Sequence, residues 1–165
     1  MPSRSKKVNP KYSLYPKLHR DVQSMLGRRY KFEFNDEDTD ADCEIGETRV
    51  VGTFTCDNPR CKNEWQSGKI STVVRSYPNR LYNAKVYHQR CRKCNKPIRP
   101  SLDSTYADRV AYRLKVLNDI RVERREFLFE KETPPHDSKR CEGCRAGYCE
   151  KKTYIVLRSI DTRLM

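Results

Sequence analysis

The chain has 165 residues, of which 36% are hydrophobic and 35% are charged, and its net charge at pH 7 is +13. This length fits one domain, but so small an apolar fraction leaves a domain of this size poorly stabilised by burial alone. No apolar stretch approaches the roughly 20 residues that cross a bilayer, and residues 1–10 lack the apolar core of a secretory signal. We therefore expect a cytoplasmic protein, with entry into the nucleus left open.

The N-terminal part predicts a basic arm, a helix, a strand and an acidic loop. Residues 1–13 are basic and polar, which favours a flexible arm. Residues 14–34 combine a helix, starting near Pro16 and stopping at Gly27, with a strand in which aromatic and charged residues alternate. The apolar helix face is formed by Leu18, Val22, Met25 and Leu26. Residues 35–47 contain seven carboxylates and no Lys or Arg, which predicts a mobile loop.

Residues 48–165 predict an α+β zinc-stabilised domain with an antiparallel sheet and one main helix. Alternating patterns predict strands at 48–54, 69–76 and 81–90, the last two joined in a hairpin by a turn at 77–80. A helical stripe containing Val110, Leu114 and Leu117 predicts a helix over about 106–125, capped by Ser104 or Thr105. The segment KTYIVLRSI predicts a C-terminal strand.

Six of the eight cysteines form three close pairs. The pairs lie in CDNPRC, CRKC and CEGC, which are Cys56 with Cys61, Cys91 with Cys94, and Cys141 with Cys144. Structural zinc takes four tetrahedral thiolate or imidazole ligands, and two cysteines separated by two to four residues reach one metal from a single tight turn. In a reducing compartment such cysteines bind metal more often than they pair as disulfides. The spacing therefore predicts zinc.

Adding His136 and Cys149 to the three pairs gives eight ligands, which is enough for two four-coordinate zinc ions. The simplest partition places one zinc on Cys56, Cys61, Cys91 and Cys94, and the other on His136, Cys141, Cys144 and Cys149. A crossed arrangement, in which the CEGC pair shares a metal with an earlier pair, stays open. Replacement of His136 by Cys43, the remaining cysteine, also stays open.

The motifs do not favour catalysis. A catalytic metal needs an open coordination position with an acid or base beside it, and neither is visible in the sequence. The deaminase pattern, His-x-Glu ahead of Pro-Cys-x-x-Cys, and a glycine-rich phosphate loop are both absent from the sequence. We therefore expect structural zinc sites and no enzymatic activity.

Three segments together resemble a known zinc-binding family. TFTCDNPRCKNEWQS, AKVYHQRCRKC and PPHDSKRCEGCRAGYC are similar in order and interval to the 3CxxC-type zinc-binding domain of receptor-transporting proteins and, more loosely, of zygote arrest proteins. The resemblance covers about residues 48–150 and implies the same seven cysteines as ligands, with His136 as the eighth. The first pair departs from the family because it is Cys-x4-Cys and not Cys-x2-Cys. We also find no counterpart of the C-terminal membrane anchor of receptor-transporting proteins.

The resemblance implies two kinds of function, because receptor-transporting proteins escort membrane receptors whereas zygote arrest proteins bind RNA. Without the acidic segment the remaining residues carry 35 cations against 15 carboxylates, or +20, which favours nucleic acid first and anionic membrane second. We therefore predict a zinc-dependent RNA-binding module acting in post-transcriptional regulation. Cations around the second cysteine pair would contact phosphates: Arg90, Arg92, Lys93, Lys96 and Arg99.

Tyr82 and Tyr87 are predicted to stack on unpaired bases. Trp65 is a third candidate ring, with packing beside the zinc as its alternative role. The alternative function is a protein-interaction adaptor, or a chaperone of the receptor-trafficking type, in which the zinc is purely structural. A protein partner would then dock on residues 14–34 or on the C-terminal strand.

Overall fold

The computed structural model describes residues 10–122 and 136–149. Eight strands and three helices follow one another along these residues, with 3-10 turns at Pro16–Leu18 and Pro78–Arg80. The strands are β1 (Tyr12–Ser13), β2 (Glu33–Phe34), β3 (Glu44–Thr55), β4 (Glu64–Tyr77), β5 (Leu81–Tyr87), β6 (Gln89–Arg90), β7 (Pro97–Ile98) and β8 (Ser101–Leu102). The helices are α1 (His19–Leu26), α2 (Thr105–Leu117) and α3 (Glu142–Arg145).

The main sheet has the order β1-β5-β4-β3-β8, and all of these pairs are antiparallel. The short β2 lies parallel to β5. The predicted hairpin is confirmed, and its turn places Asn79 and Arg80 at φ of 63° and 59°. Strand β4 begins at Glu64, five residues before the prediction, because its first residues pair with the end of β3 beside the first cysteine pair.

Helices α1 and α2 cover one face of the sheet. Val22, Leu26, Val110 and Leu114 are all at most 3% exposed, so the predicted helical stripes form the core. The prediction was wrong for Met25, which is 44% exposed.

The predicted end of the main helix was also wrong, because α2 stops at Leu117. The side chain of Asn118 donates a hydrogen bond to the Leu114 carbonyl (2.8 Å), and Asp119 adopts a φ of 56°, which is outside helical geometry. The N-terminus of α2 is capped by Asp103, whose carboxylate accepts from the Thr105 N–H at 2.8 Å. Ser104 makes no side-chain capping bond.

The acidic segment lies on the opposite face of the sheet. Arg75, only 1% exposed, donates to Asp38 (2.7 Å) and Asp40 (3.0 Å), and Lys85 lies 3.4 Å from Asp40. Strand β3 starts at Glu44, where the prediction still placed the loop, because Glu44 pairs with Ser76 in the β3–β4 ladder. The segment is held in place because a guanidinium so far from water requires counter-charges.

The structure describes part of the predicted N-terminal arm but not the predicted C-terminal strand. Tyr12 and Ser13, predicted as part of the basic arm, form β1 against Tyr87 and Val86. Residues 1–9 and the predicted C-terminal strand lie outside the described residues. Within residues 10–122 and 136–149, no helix is both long enough and apolar enough to span a bilayer.

Candidate metal centres and the cleft between them

The first cysteine pair lies in the turn that follows β3. The Cys56 N–H donates to the Asn63 carbonyl (2.8 Å), and the Cys61 N–H donates to the Asn58 carbonyl (3.0 Å). Lys62 adopts a φ of 48°, which turns the chain back toward β4. We call residues 56–63 the first knuckle. These hydrogen bonds accommodate four residues between the two cysteines. Both thiols therefore lie on the same side of the turn, although the spacing is Cys-x4-Cys and not Cys-x2-Cys.

The second cysteine pair lies in a similar turn between β6 and β7. The Cys91 N–H donates to the Lys96 carbonyl (3.0 Å), and Asn95 takes a φ of 56°. Burial opposes ionisation of Cys91, but N–H groups of Cys94 and Lys93 and the Asn63 amide point at its sulfur and lower the pKa of the thiol to about 6. We call residues 91–96 the second knuckle. Donors arranged in this way stabilise a metal-bound thiolate.

The four sulfurs of these two knuckles lie close together. The Sγ atoms of Cys56 and Cys94 are 3.2 Å apart, and those of Cys61 and Cys91 are 3.6 Å apart. A tetrahedral zinc with bonds of about 2.3 Å places its sulfurs about 3.8 Å from one another. The observed spacing fits zinc, because an expansion of about 0.6 Å or less brings both sulfur pairs to that separation.

The third group of ligands lies around α3, in residues 136–149, which we call the third knuckle. The Cys141 sulfur accepts a hydrogen bond from the Cys144 N–H at 3.4 Å. The His136 Nε2 lies 3.2 Å from the Cys144 sulfur, and the sulfurs of Cys141 and Cys149 are 3.9 Å apart. In both groups all four ligand atoms lie within 4.8 Å of one another. Two four-ligand zinc sites, partitioned in the simplest predicted way, are therefore confirmed.

Cys43 belongs to neither group. Its sulfur donates to the Asp40 carbonyl at 3.4 Å, within the acidic segment. Replacement of His136 by Cys43, which the spacing left open, is therefore wrong. The crossed partition is also wrong, because each group of four contains no ligand of the other.

The third knuckle docks on the sheet through main-chain and side-chain contacts. The Glu142 N–H donates to the His88 carbonyl (3.0 Å), and the Arg90 N–H donates to the Arg140 carbonyl (2.7 Å). Arg90 also pairs with Glu142, which is 1% exposed, at 2.5 Å. Gly143 lies so close to β4 that an added Cβ would stand 2.4 Å from the Ser71 Cβ. These contacts hold the two metal sites in a fixed relation.

Comparison with protein families agrees with this geometry. Residues 49–147, more than half of the chain, match the family model of the 3CxxC zinc ribbon, described as a zinc-binding domain. The chain belongs to this family. No curated protein and no solved structure matches it significantly.

The two tyrosines predicted to stack on bases are buried in the 3CxxC domain. Tyr82 has no exposed surface, and its hydroxyl lies 2.7 Å from the His19 Nδ1 beneath α1. Tyr87 is 5% exposed and packs against Tyr12 and Tyr148. The prediction was wrong for both residues, because segments distant in the sequence cover both faces of β5.

The five predicted phosphate-binding cations divide into two groups. Three contact other groups of the protein: Arg90 pairs with the buried Glu142, Lys96 pairs with Asp57 (2.7 Å) at the surface, and the exposed Arg99 lies over the Tyr15 ring (4.4 Å to its centroid). Arg92 and Lys93, at the tip of the second knuckle, are exposed. The Arg92 side chain is 66% exposed, and its nearest carboxylate is Asp137 at 3.9 Å.

A cleft of about 200 Å³ lies between the two metal sites. Its walls are formed by Asn63, Trp65, Gln66, Ser67, Gln89, Arg90, Arg92, His136, Asp137 and Arg140. The basic character of Arg92 and Arg140 was evident from sequence, whereas Asn63, Gln66 and Gln89 were missed. No local signal marks these three amides, because only the pairing of β3 with β4 and the docking of the third knuckle bring them to one place.

Proposed function

We propose that this chain is a zinc-dependent RNA-binding module that acts in post-transcriptional regulation and catalyses no reaction. The observation that carries the proposal is a set of exposed cations on the knuckles. Five of them make no ion pair with any residue that the structure describes: Arg60, Lys62, Lys93, Lys139 and Arg145. Cations without carboxylate partners are available to phosphates.

The charge of the metal sites does not cancel these cations. Seven thiolates contribute −7 and two Zn²⁺ contribute +4, so metal binding lowers the net charge from +13 to +10. The first site alone carries −2. The two knuckles around it carry five cations and one carboxylate, which are Arg60, Lys62, Arg92, Lys93, Lys96 and Asp57. A net positive charge remains at this surface and supports an anionic partner.

The zinc ions have a structural role in this proposal. Each site offers four protein ligands, which is the composition of closed structural sites. By fixing the backbone on both sides of Arg92 and Lys93, the metal reduces the entropy lost when these side chains bind phosphate. Removal of zinc is therefore expected to abolish specific RNA binding.

The protein-interaction adaptor receives less support. Segment 14–34 uses most of its apolar side chains inside the fold, with Tyr15 8% and Phe32 1% exposed. The large hydrophobic side chains that the described residues do expose are Met25 (44%) and Ile45 (52%). Protein-docking surfaces usually present a contiguous apolar patch.

The proposal is tested by fluorescence anisotropy with a labelled single-stranded RNA of about 12 nucleotides, a length comparable with single-strand sites. Zinc-loaded protein is titrated at several salt concentrations. The double variant Arg92→Glu/Lys93→Glu is expected to weaken binding at least about tenfold, and to lower the slope of log K against log salt by about 1.4, since each lost contact accounts for about 0.7.

The matched control is Arg20→Glu/Arg28→Glu, which makes the same charge change on and beside α1, where both residues are exposed. Its affinity should fall much less. Equal losses in the two variants would assign binding to net charge alone. RNA affinity that survives removal of both zinc ions by a chelator, or absence of RNA binding by the zinc-loaded chain, would refute the proposal.

A further inference from the structure

We propose that the cleft between the two metal sites binds one unpaired nucleotide of the RNA, with its base stacked on Trp65 and its phosphate held by Arg92 and Arg140. This inference rests on the proposed function. It names the part of the surface that reads a base, whereas the exposed knuckle cations contact the backbone.

The Trp65 ring is held ready for stacking. One face of its indole lies on Phe54, with the ring centroids 4.9 Å apart and the planes at 4°. The indole N–H donates to Gln89 Oε1 at 3.1 Å, so the ring is fixed in its plane as well. Trp65 is nevertheless only half-buried and lines the cleft. A base meets a ring that loses little freedom on binding, and base–aromatic stacking tolerates every base.

A polar group suited to a base edge lines the cleft beside this ring. It is not Gln66, because Gln66 follows Trp65 on β4 and successive side chains of a strand point to opposite faces. The Asn63 amide nitrogen donates to the Cys91 sulfur (3.5 Å), and its side-chain oxygen can accept a hydrogen bond from a base. Gln89 is already engaged, because its amide oxygen accepts from Trp65 and its amide nitrogen donates to Ser67 (2.9 Å). Asn63 is thus the group that can distinguish one base from another.

The phosphate position follows from the cations at the same cleft. Arg140 donates one terminal nitrogen to Asp137 at 2.8 Å, and its other terminal nitrogen has no partner among the residues described. Arg92 reaches the same carboxylate only at 3.9 Å. Asp137 therefore holds two guanidinium groups near each other without satisfying their donors, and Arg groups of this kind bind phosphate in a bidentate manner.

The size of the cleft favours a nucleotide within a chain over a free small molecule. Complete ligand sites usually measure about 300–1,000 Å³, whereas this cleft measures about 200 Å³. One base fits between its walls while the neighbouring nucleotides remain outside on the knuckle cations. A base inside a duplex cannot enter, because its faces are already stacked.

Intrinsic fluorescence tests this inference directly, because Trp65 is the one tryptophan of the chain. Zinc-loaded protein is excited at the red edge of the tryptophan absorption, where tyrosine contributes little, and titrated with unlabelled single-stranded RNA. We expect quenching that saturates at the concentration at which anisotropy reports binding, together with protection of Trp65 from iodide. A fully paired RNA duplex should produce neither effect.

Two variants assign the effect to the cleft. Arg92→Gln should weaken the quenching titration about fivefold, since it removes one charge-assisted phosphate contact, whereas Lys69→Gln, an exposed cation of β4 outside the cleft, should leave it unchanged. Trp65→Leu should weaken RNA binding about tenfold. Zinc content shows whether this variant is folded.

The outcomes separate this inference from the proposed function. RNA binding that depends on Arg92 and Lys93 but leaves Trp65 fluorescence unchanged would overturn the nucleotide site and leave the RNA-binding function standing. Quenching of equal size by duplex RNA would also overturn it. If no RNA binds in either assay, the proposed function itself fails. Quenching by an acidic peptide at lower concentration than by RNA would assign the cleft to a protein partner and overturn the inference.

Discussion

The attachment of the acidic segment to the sheet can be tested by neutralising two carboxylates, in the double variant Asp38→Asn/Asp40→Asn. Both accept hydrogen bonds from Arg75, whose side chain is 1% exposed. Breaking a fully buried ion pair by removing one partner costs about 3–5 kcal/mol. The Asp38 and Asp40 side chains are 41% and 73% exposed, and asparagine still offers an acceptor, so water and amide oxygens offset part of this cost. We expect a loss of about 2 kcal/mol.

Urea unfolding followed by circular dichroism, with zinc held in excess, measures this loss. For a chain of this length, about 2 kcal/mol corresponds to a melting temperature lower by about 4–8 °C. The matched control is Asp36→Asn/Glu37→Gln, which removes two charges from the same segment at exposed positions whose carboxylates make no ion pair with described residues. The control should change stability by less than about 0.5 kcal/mol.

Arg75→Met in the background of the neutralised pair completes the test. Because the buried guanidinium is then gone and only Lys85 still lacks its partner Asp40, this third change should cost little further stability or restore some of it, whereas independent contributions would simply add. The reasoning is refuted if the neutralised pair and the control lose the same stability. It is equally refuted if Arg75→Met destabilises by the same amount whether or not the two carboxylates are present.

Two further predictions concern the docking of the third knuckle and the response to pH. Gly143→Ala forces a methyl group against Ser71, so it should lower the free energy of unfolding by about 1–3 kcal/mol and speed zinc loss to a chelator. The double variant Gly143→Ala/Ser71→Gly should recover stability and zinc retention. Absence of this recovery would show that the third knuckle docks elsewhere. His88 is 2% exposed, and burial lowers its pKa from 6.5 to about 4. The unfolded chain therefore binds about one more proton than the folded chain between these values, so stability should fall as pH drops from about 6.5 toward 4. The slope should be shallower in His88→Gln, and equal slopes in the two proteins would contradict the burial of a neutral imidazole.

The sequence by itself determined the parts of this protein that depend on neighbouring residues. Cys91 and Cys94, like Cys141 and Cys144, reach one metal through a tight turn, so their spacing alone identified zinc ligands. The helical stripe through Val110 and Leu114 and the turn before Leu81 are equally local. For the same reason, eight ligands in groups of four predicted two metals before any distance was known.

Only the tertiary structure decided which side chains remain available to a partner. The pattern of β5 could not show that α1 covers Tyr82 or that Tyr12 and Tyr148 cover Tyr87. Nor could the run of cations around the second knuckle show that Glu142, 52 residues after Arg90, takes one of them. Burial and ion pairing depend on what the rest of the chain places opposite a residue. The cleft at Trp65 exists for that reason, since the three knuckles, which are distant from one another in the sequence, form its walls together with β4.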